Sequence, residues 1–165
     1  MTGSAAAASP CFDSLARYKD CGNGTVTDSV TRLIWLKNAN CFGQLNYKEA
    51  QDQVIDLKHG DCGLTDNSSP GDWRLPTQEE WDATAARAKS LVCTSPAWTD
   101  ALGYDCYSEP GRTKMFNGIQ LTYYWLSTTH EDSPTNAWAV YLIDGGMATA
   151  NKNTTFPVWP VRAGH

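Results

Sequence analysis

Few side chains in this sequence are of types that could do chemistry, and they are scattered along it. His59 closes a helix-like stretch among polar neighbours, and His130 sits in a loop with no nucleophile motif beside it. Neither has the partner that a nucleophile-base pair requires. Hydrolysis of a glycoside needs two acids set at a fixed distance across the sugar. Glu79-Glu80 opens a predicted helix, where the positive end of the dipole accounts for both carboxylates. Glu131-Asp132, beside Asn136, is a loop cluster of the oxygen-rich kind that calcium takes up. Calcium is therefore the one cofactor the sequence raises. No catalytic residue is assigned, and the chain is expected not to be an enzyme.

Binding asks less of the residues than catalysis. Sugars are held by aromatic faces against their C–H surfaces and by amide or charged groups on their hydroxyls. Such groups gather in the last third as Tyr123, His130, Asn136, Tyr141, Asn151, Lys152 and Asn153, with Arg112 and Lys114 in the loop before them. For a sulfated ligand the cations that matter are Arg112, Lys114, Lys152 and His130. Trp125, Trp138 and Trp159 are expected in the core.

Those residues need a framework. The chain has 165 residues, 41% hydrophobic and 19% charged, which suits one globular domain over residues 11–163. Residues 1–10 read as a linker or cloning remnant and Gly164-His165 as the start of a tag, so His165 is given no role. Residues 1–106 hold nine Lys/Arg against 14 Asp/Glu, and residues 107–165 hold four of each, so the net charge of −5 sits in the first part. That balance argues against nucleic acid as a partner, since binding it relies on a basic surface. No apolar run is long enough for a membrane span.

Cysteines 11, 21, 41, 62, 93 and 106 contain no C-x-x-C pair, so disulfides fit better than a zinc or thioredoxin-type site. Sequence leaves the pairing open, although neighbours in order would each close a short loop. Bridges of this kind belong to an oxidising compartment, which places the chain outside the cytosol, secreted or at a cell surface.

The stretch Gly71-Asp72-Trp73-Arg74-Leu75-Pro76-Thr77 reads as the centre of the fold. Trp73 and Leu75 alternate as in a short strand, Pro76 fixes the exit, and Thr77 with Glu80 makes a capping box for a helix over Gln78 to about Ser90. Asp72 and Arg74 are expected as a surface ion pair anchoring nearby loops. The buried stripe of that helix is expected at Trp81, Ala85, Ala88 and Val92. An earlier helix is capped by Asn46 with Glu49, buries Tyr47, Ala50, Val54 and Leu57, and ends at Gly60 or Gly63.

Residues 17–28 predict a hairpin around Asn23-Gly24, followed by a reversal and the strand Leu33–Leu36. Cys93 to Thr122 is broken by Pro96, Gly103, Pro110, Gly111 and Gly118 into long loops with short strands. Strands follow at 123–127 and 136–142, the second expected to put Trp138, Val140 and Leu142 on one face. A turn at Asp144-Gly145-Gly146 and a proline-bounded last strand over 156–162 complete an α+β domain.

Five segments occur in an order and spacing that resemble one family. They are Gly22-Asn23-Gly24-Thr25-Val26-Thr27-Asp28, Leu33-Ile34-Trp35, Gly71 to Pro76, Tyr124-Trp125-Leu126-Ser127-Thr128-Thr129 and Val158-Trp159-Pro160-Val161-Arg162. Together they are similar to the Lcl C-terminal domain family, named for the C-terminal domain of the Legionella collagen-like adhesin. The resemblance implies a C-type-lectin-like fold, with two helices flanking a small antiparallel sheet and long loops presenting a ligand surface. It further implies adhesion to a glycan, including sulfated glycosaminoglycan, or to a surface protein, in a domain able to form a homotrimer. A purely structural trimerising module and an enzyme related to formylglycine-generating enzymes are the alternatives. The latter use cysteines late in the chain, whereas none follows Cys106 here. The Glu-Pro-Asn and Trp-Asn-Asp signatures of calcium lectins are missing, Arg32 stands where the family usually has glycine, and the chain has no collagen repeat.

Overall fold

The computed structural model describes residue 7 and residues 9–164; most of the stretch read as a linker or cloning remnant, and His165, lie outside the described residues. The expected hairpin forms from β1 (Tyr18–Asp20) and β2 (Thr25–Asp28), paired antiparallel with Tyr18 opposite Asp28. Positive φ falls on Gly22 and Gly24. Asn23 instead turns its side-chain oxygen inward to accept from the N–H and hydroxyl of Thr25. The reversal after β2 is organised by Asp28, whose carboxylate accepts from the N–H of Val30 and the hydroxyl of Thr31. Arg32 closes that reversal at φ 63°, so the backbone keeps a conformation suited to glycine. Its guanidinium lies 3.6 Å from the centre of the Phe12 ring.

β3 (Leu33–Leu36) joins β2, and the chain returns at its far end to add β7 (Val161–Ala163) beside β3, giving a sheet ordered β1-β2-β3-β7. β4 (Tyr123–Thr129), β5 (Asn136–Tyr141) and β6 (Met147–Asn151) make a second, three-stranded antiparallel sheet. The architecture is α+β as expected, but with two small sheets where one was expected. The first and last strands are too short to show in a periodicity, and only the return of the chain end unites them.

Both helices start on complete capping boxes, Asn46 with Glu49 for α1 (Tyr47–Ile55) and Thr77 with Glu80 for α2 (Gln78–Ser90). α1 ends at Asp56, ahead of both glycines expected to stop it. Leu57 is still buried just past the helix. α2 buries Trp81, Thr84, Ala85 and Ala88. Val92 is not part of that stripe: it lies beyond the helix at φ 56° and is 80% exposed. Residues 93–122 contain no named strand, only the isolated bridges Thr99 to Cys106 and Asn38 to Asn117. Disulfides join Cys11 to Cys21, Cys41 to Cys62 and Cys93 to Cys106, each between neighbours in sequence. In the chain-entropy view each contributes roughly 2–4 kcal/mol.

Six of the seven tryptophans are buried, and four of them meet in the centre. Trp98 and Trp159 stack at 4.7 Å, and Trp35 stands edge-on to Trp81, Trp98 and Trp159. Trp73 and Leu75 are buried on either side of exposed Arg74, which bridges to Val161 of β7, so the central stretch does act as a short strand. Asp72 and Arg74 do not pair with each other. Asp72 accepts from the Ser69 N–H, and Arg74 makes two hydrogen bonds of 2.6 and 2.7 Å to Glu80. Gly164, read from sequence as part of a tag, donates to the Arg32 carbonyl.

Two ion pairs are buried. Arg17 grips Asp28 through Nε and Nη2, both at 3.0 Å, and Nη2 also donates to the Thr84 carbonyl of α2. Arg162 of β7 reaches Asp66 at 3.2 Å, tying the 61–71 loop to the last strand. Removing one partner of such a pair leaves an uncompensated charge, so Asp28→Asn should lower the unfolding free energy by about 3–5 kcal/mol in urea denaturation. A loss below about 1 kcal/mol would show that Arg17 does not depend on Asp28. Glu80 generates a pH dependence. Burial pushes its carboxyl up, but the Arg74 hydrogen bonds and the Thr77 N–H outweigh that and hold it below its ordinary value. A lowered folded-state value contributes stability above the unfolded-state pKa, and that contribution is lost as pH falls through the folded one. Glu80→Gln should therefore lose less stability than the parent between neutral and acid pH, by under about 1 kcal/mol for so exposed a pair. Identical acid limbs in the two proteins would contradict the assignment.

Candidate functional site

β5 is the central strand of the second sheet; burial alternates from Asn136 to Ala139, and Val140, on the phase of Trp138, is fully buried. Ala137 and Ala139 are fully buried, small enough to lie against crowded neighbours, while Trp138 points the other way and is only partly buried. Trp138 is thus not the core residue its spacing suggests. It is the one tryptophan of seven that keeps an accessible surface.

The surroundings of Trp138 are shaped by an irregularity in β4. Pairing with β5 shifts register between Trp125 and Thr129, the kind of bulge that bends a strand and re-aims its side chains. The bent segment is pinned by the Ser127 N–H on the Pro76 carbonyl and the Tyr47 hydroxyl on the Ser127 carbonyl. Thr128, Thr129 and His130 then curl around the indole. The loop that follows is held by its own backbone: His130 donates to Asn136, Ser133 to His130 and Asn136 to Ser133. Glu131 and Asp132 stand exposed on it.

These residues, with Gln78 and Glu79 from the first turn of α2, line a cleft of about 290 Å³. The His130 ring lies 5.8 Å from the Trp138 ring, tilted by 36°. Its Nδ1 is buried and finds no partner among the described residues. The ring is placed by its packing against the indole. The cleft offers an aromatic face, two threonine hydroxyls, a carboxamide and three carboxylates. That set suits ligand hydroxyls, and its charge opposes a sulfate. Among the described residues, no three His, Cys, Asp or Glu side chains converge on a point where a metal ion would sit.

The residues singled out from sequence do not form one cluster. His130 lies in the cleft, and Asn136 and Asn151 pair across β5 and β6 on the same face of the sheet as Trp138. Tyr123 and Tyr141 are opposite each other on the other face, stacked at 4.6 Å with Phe156 beside them. Lys152 lies over the Tyr47 ring at 5.1 Å. Asn151 accepts from the Asn153 N–H at the strand end, where both are exposed. Arg112 is paired with Asp105 at 3.1 Å, and Lys114 lies 5.0 Å from the Tyr107 ring. The cations proposed for a sulfated ligand therefore share no partner.

From sequence Trp138 is expected in the core and Glu79 as a helix-start residue, and Gln78, Thr128 and Thr129 carry no site role; no residue pattern marks the register shift in β4 that shapes their surroundings.

No curated protein matches the chain. The model of the Lcl C-terminal domain matches residues 24–162, from the hairpin turn to β7, including both helices, both sheets' later strands and every residue of the cleft. With nearly its whole length matched, the chain belongs to the Lcl C-terminal domain family, a domain associated with adhesins.

Proposed function

We propose that this is a non-enzymatic recognition domain of an extracellular or surface protein, of C-type-lectin-like fold, which binds a glycan in the cleft around Trp138. The single observation that carries the reading is the half-buried indole, set among hydroxyl, amide and carboxylate groups, in a chain whose other six indoles are buried. A pyranose C–H face stacks on such a ring while its hydroxyls reach the polar rim. Support for the fold comes from the two helices, the return of the chain end to pair β7 with β3 and the long loop, together with family membership. The three disulfides fit an oxidising compartment. No helix among the described residues is long and apolar enough to cross a membrane.

Glu79, Glu131 and Asp132 make a neutral or amino sugar the better occupant, and a sulfated glycosaminoglycan the poorer one. The test is a glycan array probed with the parent and with Trp138→Ala, at physiological and raised salt. Binding to unsulfated glycans that persists in high salt and weakens about tenfold or more in Trp138→Ala is expected. Binding confined to sulfated glycans, lost in salt and indifferent to Trp138, would move the site to Arg112, Lys114 and Lys152. No binding to any glycan would leave a protein partner or a trimerising role as the better reading.

A further inference from the structure

Each sheet has an outer strand at either end, and most of these edges are closed by other parts of the chain. β1 donates its Tyr18 N–H to the Ala101 carbonyl, and β7 exchanges main-chain bonds in both directions between Val161 and Arg74. β4 is closed by the carbonyls of Pro157 and Pro76, which accept from the N–H groups of Trp125 and Ser127. β6, the last strand of the second sheet, is not closed in this way. At the two ends of its ladder with β5, Tyr141 donates to Gly146 and Lys152 donates to Thr135. With the register between them unbroken, Ala148 and Ala150 make the intervening bonds to β5, and Met147, Thr149 and Asn151 turn their main chain to the open side. Among the described residues, the N–H groups of these three and the carbonyls of Met147 and Thr149 have no hydrogen-bond partner, while the Asn151 carbonyl accepts from Thr154.

Folded proteins blunt an edge of this kind with a charge, a proline or a bulge. β6 reads Met147-Ala148-Thr149-Ala150-Asn151 and has none of them. Its sequence suits pairing with itself. Set antiparallel to its own copy about Thr149, the strand brings Met147 opposite Asn151, Ala148 opposite Ala150 and Thr149 opposite Thr149. A charged residue at that axis would meet its own sign, whereas β6 carries no charge and threonine opposite threonine is a favourable cross-strand pair. The Thr149 N–H reaches the Thr149 carbonyl and the Asn151 N–H reaches the Met147 carbonyl, each in both directions, and all of these groups are unused in the single chain.

We infer that β6 pairs with β6 of a second copy of this chain, joining their three-stranded sheets into one antiparallel sheet about a two-fold axis at Thr149. The axis stands perpendicular to the sheet, so the two Trp138 rings share a face, on strands three spacings or about 14 Å apart. Their use as paired glycan clefts rests on the reading of Trp138 above; the pairing of the strands does not. The test is analytical ultracentrifugation of the whole disulfide-bonded chain over a wide concentration range, with amide hydrogen exchange followed by NMR on the same samples. A concentration-dependent dimer is expected, in which the Thr149 and Asn151 amides exchange slowly and become fast on dilution. Thr149→Pro removes the central outward N–H and leaves the bonds to β5 in place, so it should weaken the dimer at least about tenfold. Thr149→Lys sets an ammonium against itself across the axis, and should weaken the dimer in a way that raised salt partly restores. That salt response keeps the test open even if Thr149→Pro disturbs the fold. A monomer at every concentration would overturn the pairing and leave the edge to a strand of another protein. A dimer or trimer indifferent to both substitutions, or one in which the Thr149 amide still exchanges fast, would overturn it as well.

Discussion

Trp159 is the residue on which the rest of the structure depends. It lies in the proline-bounded segment before β7, and its indole N–H donates to the Leu36 carbonyl of β3 at 2.8 Å. Its ring touches Trp35 of β3, Trp81 of α2, Trp98 and Phe116 of the long loop and Tyr124 of β4. One side chain thus joins both sheets, the longer helix and the loop, and it does so from near the chain end. Edge-on and offset contacts between such rings each add about 0.5–1.5 kcal/mol beyond the area they bury. A residue with fewer contact faces could not hold these elements together, because the direct contacts between the two sheets elsewhere are few.

The same cluster explains how the segment 93–122, which contributes no strand to either sheet, is held in place. Trp98 and Phe116 are buried anchors within the 93–122 segment. Between them, the Tyr107 hydroxyl donates to the Phe116 carbonyl, Asp100 Oδ1 accepts from Gly103 and Tyr104, and Cys93 is bridged to Cys106. A loop fixed in this way loses little further freedom when something binds near it, which is the condition under which loops make recognition surfaces. The Trp138 cleft is built on the same plan, from a bulged strand end and a backbone-bonded turn placed over a capped helix. The groups that line it are carried by elements that the core already holds.

What could be read from the sequence was local. The hairpin, both capping boxes and the length of α2 depend on residues a few positions apart, whereas the pairing of the cysteines stayed open until the fold brought each beside its neighbour in sequence. What could not be read was set by distant contacts. Val92 continues the apolar spacing of α2, yet the helix ends at Leu91 and the chain turns Val92 out to solvent. Trp138 follows the alternation it shares with Val140 and Leu142, which the core does bury, yet it alone of the three stays half-exposed. Residue type alone gathered Arg112, Lys114, Tyr123, Tyr141 and Lys152 with His130. Strand phase turns Tyr123 and Tyr141 to the face opposite Trp138, while Arg112 and Lys114 belong to the long loop and Lys152 to the turn after β6, each against a partner of its own. The two ion pairs, Arg17 with Asp28 and Arg162 with Asp66, join family-motif residues to partners 11 and 96 positions away, and neither spacing is a recognisable signature.

The central claim is a division of labour among the tryptophans, six holding the fold and Trp138 alone facing a ligand. Fluorescence quenching by acrylamide on the native protein tests it most directly, comparing the parent with Trp138→Phe. The account predicts a single accessible component in the parent that disappears in the variant, with the remaining emission shielded as expected of buried indoles. Several accessible components, or an accessible component that survives the substitution, would contradict it.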